Sequence, residues 1–243
     1  ILWAGLWIFL VRDMPAQSHW MTTEAAATLE QELAAEQATV APVAAVRKAL
    51  VRTDVLILCA QFFCWSLGVY GFVLWLPTIV RQGAALSMGR TGLLTAVPYL
   101  AAVLLMLLVS HLSDRTQRRE VLVWPFLLLS GLGLLGSFLI AQRSFPLSFV
   151  CLIVGAACMY APYGPYWAII PERLPRNVTG EVMALINSCG ALGGFVGTYF
   201  VGFLQSVTGS SKAGFLFMAV FMICSSLLIL LLPPTPRKAI PQA

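Results

Sequence analysis

The chain has 243 residues, of which 59% are hydrophobic and only 10% charged, with a formal net charge of +5. Soluble domains carry about 25% charged residues, so this composition excludes an ordinary soluble protein. The Lys and Arg residues lie in short connections between apolar blocks, with no basic stripe or interleaved aromatics to follow phosphates, so no nucleic acid is expected as a partner.

Residues 1–11 (Ile-Leu-Trp-Ala-Gly-Leu-Trp-Ile-Phe-Leu-Val) are apolar but too short to cross a bilayer, which takes about 20 residues. They read as the last turns of a span already under way. Residues 12–54 are the one soluble-looking stretch. Thr22 or Thr23 can cap a helix over 24–37, which opens on Glu24 and is rich in strong helix formers. The part from Ala38 to Val46, with Pro42, reads as a tether.

Six apolar runs follow, at 55–80, 91–110, 121–141, 147–170, 182–204 and 213–232. Each is long enough to span. In a lipid bilayer each backbone polar group must be satisfied within its own segment, so the runs are helices. The expected fold class is therefore an all-α membrane bundle of six helices, residues 55–232, followed by a tail at 233–243. Pro77, Pro98, Pro125, Pro162 and Pro165 mark kinks. The six cysteines all lie in apolar runs without a CxxC pair and read as packing residues.

Loop charges set the orientation. Placing the connection after residue 11 inside puts Arg12, Arg47, Lys48, Arg52, Arg115, Arg118, Arg119, Arg173, Arg176, Arg237 and Lys238 on the inner side. Only Arg81, Arg90, Arg143 and Lys212 then lie outside. The positive-inside bias makes 12–54 and 233–243 cytoplasmic.

On an ideal helix over 147–170, Tyr160, Tyr163, Tyr166 and Trp167 share about one third of the circumference. In the next run Asn187 shares a stripe with Gly190, Gly194 and Gly197. The glycines read first as a helix-packing surface, whereas an amide deep in an apolar span reads as functional. Gln61 is the other embedded amide and shares a stripe with Trp65, Gly68, Phe72 and Trp75. Tyr70 falls on the opposite side of an ideal helix and joins such a site only if that span is broken. Aromatic rings and amides of this kind can stack on and hydrogen-bond a small polar solute. An intramembrane enzyme needs an embedded nucleophile with a base, or facing carboxylates. The runs hold neither, and the two histidines, His19 and His111, lie in or beside the connections, so no enzymatic activity is expected.

Three stretches carry a family resemblance. Ser110 to Arg119 (Ser-His-Leu-Ser-Asp-Arg-Thr-Gln-Arg-Arg) resembles the Gly-x-x-x-Asp-Arg-x-x-Arg-Arg signature of the major facilitator superfamily, with Ser110 where Gly is usual. Pro171 to Gly180 (Pro-Glu-Arg-Leu-Pro-Arg-Asn-Val-Thr-Gly) is similar to its connection between spans ten and eleven. Tyr160 to Ala168, Met183 to Gly194 and Trp75 to Val80 together resemble the anion:cation symporter branch, whose members carry sugar acids, aromatic acids and dicarboxylates.

The resemblance implies spans seven to twelve plus the end of span six, in a bacterial-type inner membrane. It implies gating by Asp114, Arg115, Arg118, Arg119, Glu172 and Arg176, with Glu172 pairing Arg118 or Arg119. It further implies substrate contacts from Gln61, Tyr70, Tyr163, Tyr166, Trp167 and Asn187. The implied partners are a small organic anion such as an aldonate or hexuronate, a coupling proton or sodium ion, the lipid bilayer and an amino-terminal half of the transporter; no cofactor and no metal are implied. No Asp, Glu, Lys, Arg or His lies in the middle of any run, so the anion-binding Arg and the coupling carboxylate are expected in that other half, and this chain alone is expected to be inactive. A carrier of aromatic or dicarboxylic acids, and a membrane sensor that binds without transporting, remain alternatives.

Overall fold

A computed structural model of the chain describes residues 2–11, 14–18, 20–38, 46–84, 88–141, 143–209 and 212–233. Most of the tether after Ala38 and all but the first residue of the tail lie outside the described residues.

Among the described residues three α-helices precede the bundle: α1 (Leu2–Leu10), α2 (Thr23–Ala38) and α3 (Val46–Leu50). The Thr22 hydroxyl accepts from the Ala25 N–H at 3.2 Å, so Thr22 rather than Thr23 caps α2. The bundle contains α4 (Thr53–Ala84), α5 (Met88–Thr116), α6 (Trp124–Ile140), α7 (Phe145–Tyr160), α8 (Tyr163–Arg173), α9 (Arg176–Thr208) and α10 (Lys212–Leu230). These supply six membrane-length apolar segments among the described residues, with α7 and α8 counted as one. The chain is a multi-pass membrane protein. In a bacterium that means the inner membrane, because outer-membrane spans are β-barrels.

Helices α4, α5 and α9 overrun their apolar runs at both ends, since their polar end residues continue the hydrogen-bond ladder beyond the hydrocarbon. The fourth run differs more. Pro162 and Pro165 lack backbone donors, and the helix breaks between Tyr160 and Tyr163. The kink expected there is a discontinuity in the middle of a span.

α4 is the central post, packed against α9, α10 and, at the break, α7 and α8. Its contact with α9 depends on glycine: a Cβ at Gly193 would fall on the Phe63 carbonyl, and one at Gly197 on that of Leu67. Backbones come this close only where side chains are absent, and dispersion then holds helices together in a solvent as apolar as they are. The glycine stripe is thus a packing surface. A buried hydroxyl pair ties α6 to α7, with Ser137 Oγ and Ser148 Oγ 2.9 Å apart.

Candidate functional site

The break between α7 and α8 is lined by aromatic rings and held by α4. The Trp65 indole N–H donates to the Met159 carbonyl at 3.1 Å, and the Tyr166 hydroxyl donates to the Leu58 carbonyl at 3.0 Å. Both side chains are fully buried. Phe62 stacks on Tyr166 with centroids 5.3 Å apart and meets Trp167 edge-on at 5.2 Å. Tyr163 lies 4.5 Å from Trp65 and stacks on Tyr160 at 5.8 Å. Such offset and edge-on pairs add rigidity beyond the area they bury. Tyr160 also packs against Tyr99 of α5 at 6.1 Å, and Tyr99 against Phe72 at 6.4 Å.

The sequence-predicted residues divide into two groups. Tyr163 and Trp167 are half-buried in this aromatic wall. Tyr70 is 49% exposed, and its ring lies over Gly194 of α9, within electrostatic reach of Tyr160 and Tyr163. α4 is continuous here, so Tyr70 approaches the tyrosines without the helix break that the ideal-helix projection called for. Asn187 is exposed, at the edge of the glycine stripe. Tyr166 is buried and committed to Leu58. Gln61 is fully buried on another side of α4: its Nε2 donates to Ser225 Oγ of α10 at 2.8 Å, and Ser225 Oγ donates back to the Gln61 carbonyl at 3.2 Å. The structure therefore brings Tyr163 and Trp167 to one aromatic wall, sets Tyr70 over Gly194 of α9, the helix that also carries Asn187, and turns Gln61 away from them.

A second cluster forms at the charged end of the bundle. After α5, Gln117 takes a left-handed conformation (φ 52°) and its N–H bonds to the Ser113 carbonyl at 2.9 Å. This αL stop turns the chain back, so that Arg119 reaches under its own helix. Arg119 donates to Asp114 Oδ1 at 2.6 Å, to Ser113 Oγ at 2.8 Å and to Glu172 Oε1 at 3.0 Å. Of the two arginines left open for Glu172, Arg119 is the partner. Burial opposes its charge, but hydrogen bonds to Asp114 and Glu172 outweigh that and hold the guanidinium above its ordinary range. Arg115 and Arg118 are exposed and make no ion pair among the described residues. Arg176 begins α9, and its side chain lies outside the described residues.

Sequence reading missed Arg173. Its Nη2 donates to Glu120 Oε1 and to the Pro233 carbonyl, both at 2.7 Å, which ties α8 to the turn before α6 and to the end of α10. A signal was available: Arg173 follows Glu172 directly, and Glu120 follows Arg119, so the two links could pair twice over. Tyr99 and Ser113 were missed because neither is unusual in its own segment.

A sequence profile of the Major Facilitator Superfamily matches residues 1–198 and, in a second alignment, 86–243. The chain belongs to that superfamily. Among its curated relatives is a protein of Agrobacterium vitis named "Putative tartrate transporter", 31% identical over 234 residues, covering 96% of this chain and 51% of the relative. The quinolone resistance transporter of Acinetobacter baumannii is 31% identical over 176 residues (72% of this chain, 40% of the relative). The hexuronate transporter of Bacillus subtilis is 23% identical over 240 residues (95% and 54%). This superfamily chain spans about half the length of the curated relatives it matches.

Proposed function

We propose that the chain forms the carboxy-terminal bundle of a secondary transporter that carries a small hydroxylated organic acid, such as an aldonate, hexuronate or aldarate, by alternating access coupled to a proton or sodium ion. The observation that carries this reading is the discontinuous α7–α8 segment, lined by aromatic rings and flanked by the exposed Tyr70 and Asn187. Broken helices near the bilayer midplane are where transporters build substrate sites, because non-helical backbone is tolerated only against protein or a wet cavity. The tartrate- and hexuronate-named relatives support the substrate class.

In this reading Asn187, Tyr70, Tyr163 and Trp167 contact the substrate. Gln61 and Tyr166 position α4 against α10 and α8. An amino-terminal bundle covers α5, whose apolar window is only 17% buried, against 67% for α4 and 33% for both α6 and α9. That bundle also supplies the counter-charge that an anion needs in a low-dielectric cavity. The Arg119 cluster lies on the cytoplasmic side and steadies the ends of α5 and α8 during gating, with Asp114 and Glu172 as its acceptors.

Uptake of labelled tartrate, gluconate and glucuronate by cells expressing the complete product of the gene tests this. Accumulation that collapses with the proton or sodium gradient is expected. Absence of accumulation for every acid, with the protein present in the membrane, overturns it.

A further inference from the structure

At the wall, two polar groups are used by the fold: the Trp65 indole by Met159 and the Tyr166 hydroxyl by Leu58. Four phenols differ. The hydroxyls of Tyr70, Tyr99, Tyr160 and Tyr163 make no hydrogen bond among the described residues. None of the Tyr99, Tyr160 and Tyr163 oxygens is sealed without a partner, and Tyr70 is 49% exposed. Three of them are neighbours, Tyr99 and Tyr163 both packed against Tyr160, while Tyr70 lies over Gly194 within electrostatic reach of Tyr160 and Tyr163.

The chemistry of this group is narrow. No Lys or Arg lies in the middle of any span, so a carboxylate placed against these rings would lack a counter-charge. A phenol both donates and accepts a hydrogen bond, as does an alcohol. An aromatic or alkyl end would leave the four hydroxyls desolvated and unpaired, which a binding site penalises. Neutral hydroxyl groups match the set best.

We propose that Tyr99 is a further substrate-binding residue, and that with Tyr70, Tyr160 and Tyr163 it forms a shelf that reads the hydroxyl groups along the carbon chain of the transported acid. The inference rests on the transport reading above and deepens it: a carboxylate faces the other bundle and the hydroxyl-bearing carbons face this one. Selectivity then follows hydroxyl count.

The test uses two series in the complete transporter: tartrate, malate and succinate, which lose one hydroxyl at a time, and gluconate with 3-deoxy-gluconate. Each hydroxyl is expected to improve KM about three- to tenfold, the effect of one net hydrogen bond. Tyr99→Phe removes one oxygen and keeps the ring. It is expected to weaken the hydroxylated acids by that factor and to shrink the preference over the deoxy analogue, with kcat little changed. Tyr199→Phe alters an exposed phenol stacked on Phe203 of the same helix and is expected to leave the preference intact. Full preference retained in Tyr99→Phe and Tyr160→Phe alike overturns the shelf while transport stands. Wild-type protein that takes up none of these acids overturns the transport reading and the shelf together.

Discussion

Ser110 on α5 occupies the space that a side chain at residue 164 on α8 would need: a Cβ built on Gly164 falls on the Ser110 hydroxyl and lies 3.0 Å from its Cβ. The superfamily signature usually has Gly where this chain has Ser110, so the small residue of this contact sits on the opposite helix. Overpacking at such a contact costs roughly 1–3 kcal/mol. Gly164→Ala should therefore lower thermal stability in detergent, and Ser110→Gly in the same chain should recover most of the loss. Additive effects of the two changes would show that the helices do not touch there.

Arg119 is the shared donor for Asp114 and Glu172, and its side chain is 10% exposed. Arg119→Ala leaves two carboxylates facing each other with no cation between them. The Asp114 side chain is 71% exposed and that of Glu172 25%, so solvent screens both acids and a loss of roughly 1–2 kcal/mol is expected, below the cost of breaking a fully buried pair. Arg119→Lys should recover little, because an ammonium cannot span both acids as the planar fork does. Arg115→Ala and Arg118→Ala, at exposed positions, should stay within about 0.5 kcal/mol. Denaturation midpoints of the four variants in one detergent give the comparison; equal losses at Arg115 and Arg119 would remove the special place of Arg119.

Gln61 and Tyr166 face the interior, and their variants should behave as packing variants. Tyr166→Phe deletes the donor to Leu58 and should cost about 1 kcal/mol of stability with substrate KM unchanged. Gln61→Met should be nearly neutral, because Gln61 Oε1 has no partner among the described residues and a volume-conserving apolar replacement removes that orphan. A tenfold rise in KM for Gln61→Met, at unchanged expression, would put Gln61 back in the substrate site.

Asn187 is exposed, whereas Cys158 is buried, with only 5% of its surface exposed. Asn187→Ala should abolish uptake with folding intact, since an exposed amide contributes little to packing. Cys158→Ala should reduce stability by about 1 kcal/mol and leave uptake close to wild type. Matching uptake by the two variants would exclude Asn187 from the site.

The spans were legible because the bilayer imposes a one-dimensional rule: a helix that crosses it needs about 20 apolar residues and few charges. That rule reads directly along the chain, as does helix capping at Thr22, which depends on residues three positions apart. The glycine stripe on α9 was also visible, since its period belongs to one helix. The break at Tyr160–Tyr163 was half visible. Its prolines stand in the sequence, but a kink and a break need the same residues, and the Trp65 indole that donates to the Met159 carbonyl beside the break comes from another helix.

The residues of the site divide along the same line. A helical projection can state which side chains share a face of one helix; it cannot state what that face meets. Gln61 and Tyr70 lie on opposite faces of α4, and the sequence offered no reason to choose the face of Tyr70 without a break in the helix. Packing decided it: α10 brings Ser225 to Gln61, and Gly194 of α9 leaves room for the Tyr70 ring. Partner choice at the charged end was likewise tertiary. Arg118 and Arg119 are equivalent in composition and spacing, and only the αL turn at Gln117 directs Arg119 inward while Arg118 stays in solvent. Composition and periodicity thus determined that this chain is a bundle of membrane helices, because those properties act along the chain. Contacts between residues about 50 to 160 positions apart decided which polar groups the fold consumes and which it leaves without a protein partner among the described residues.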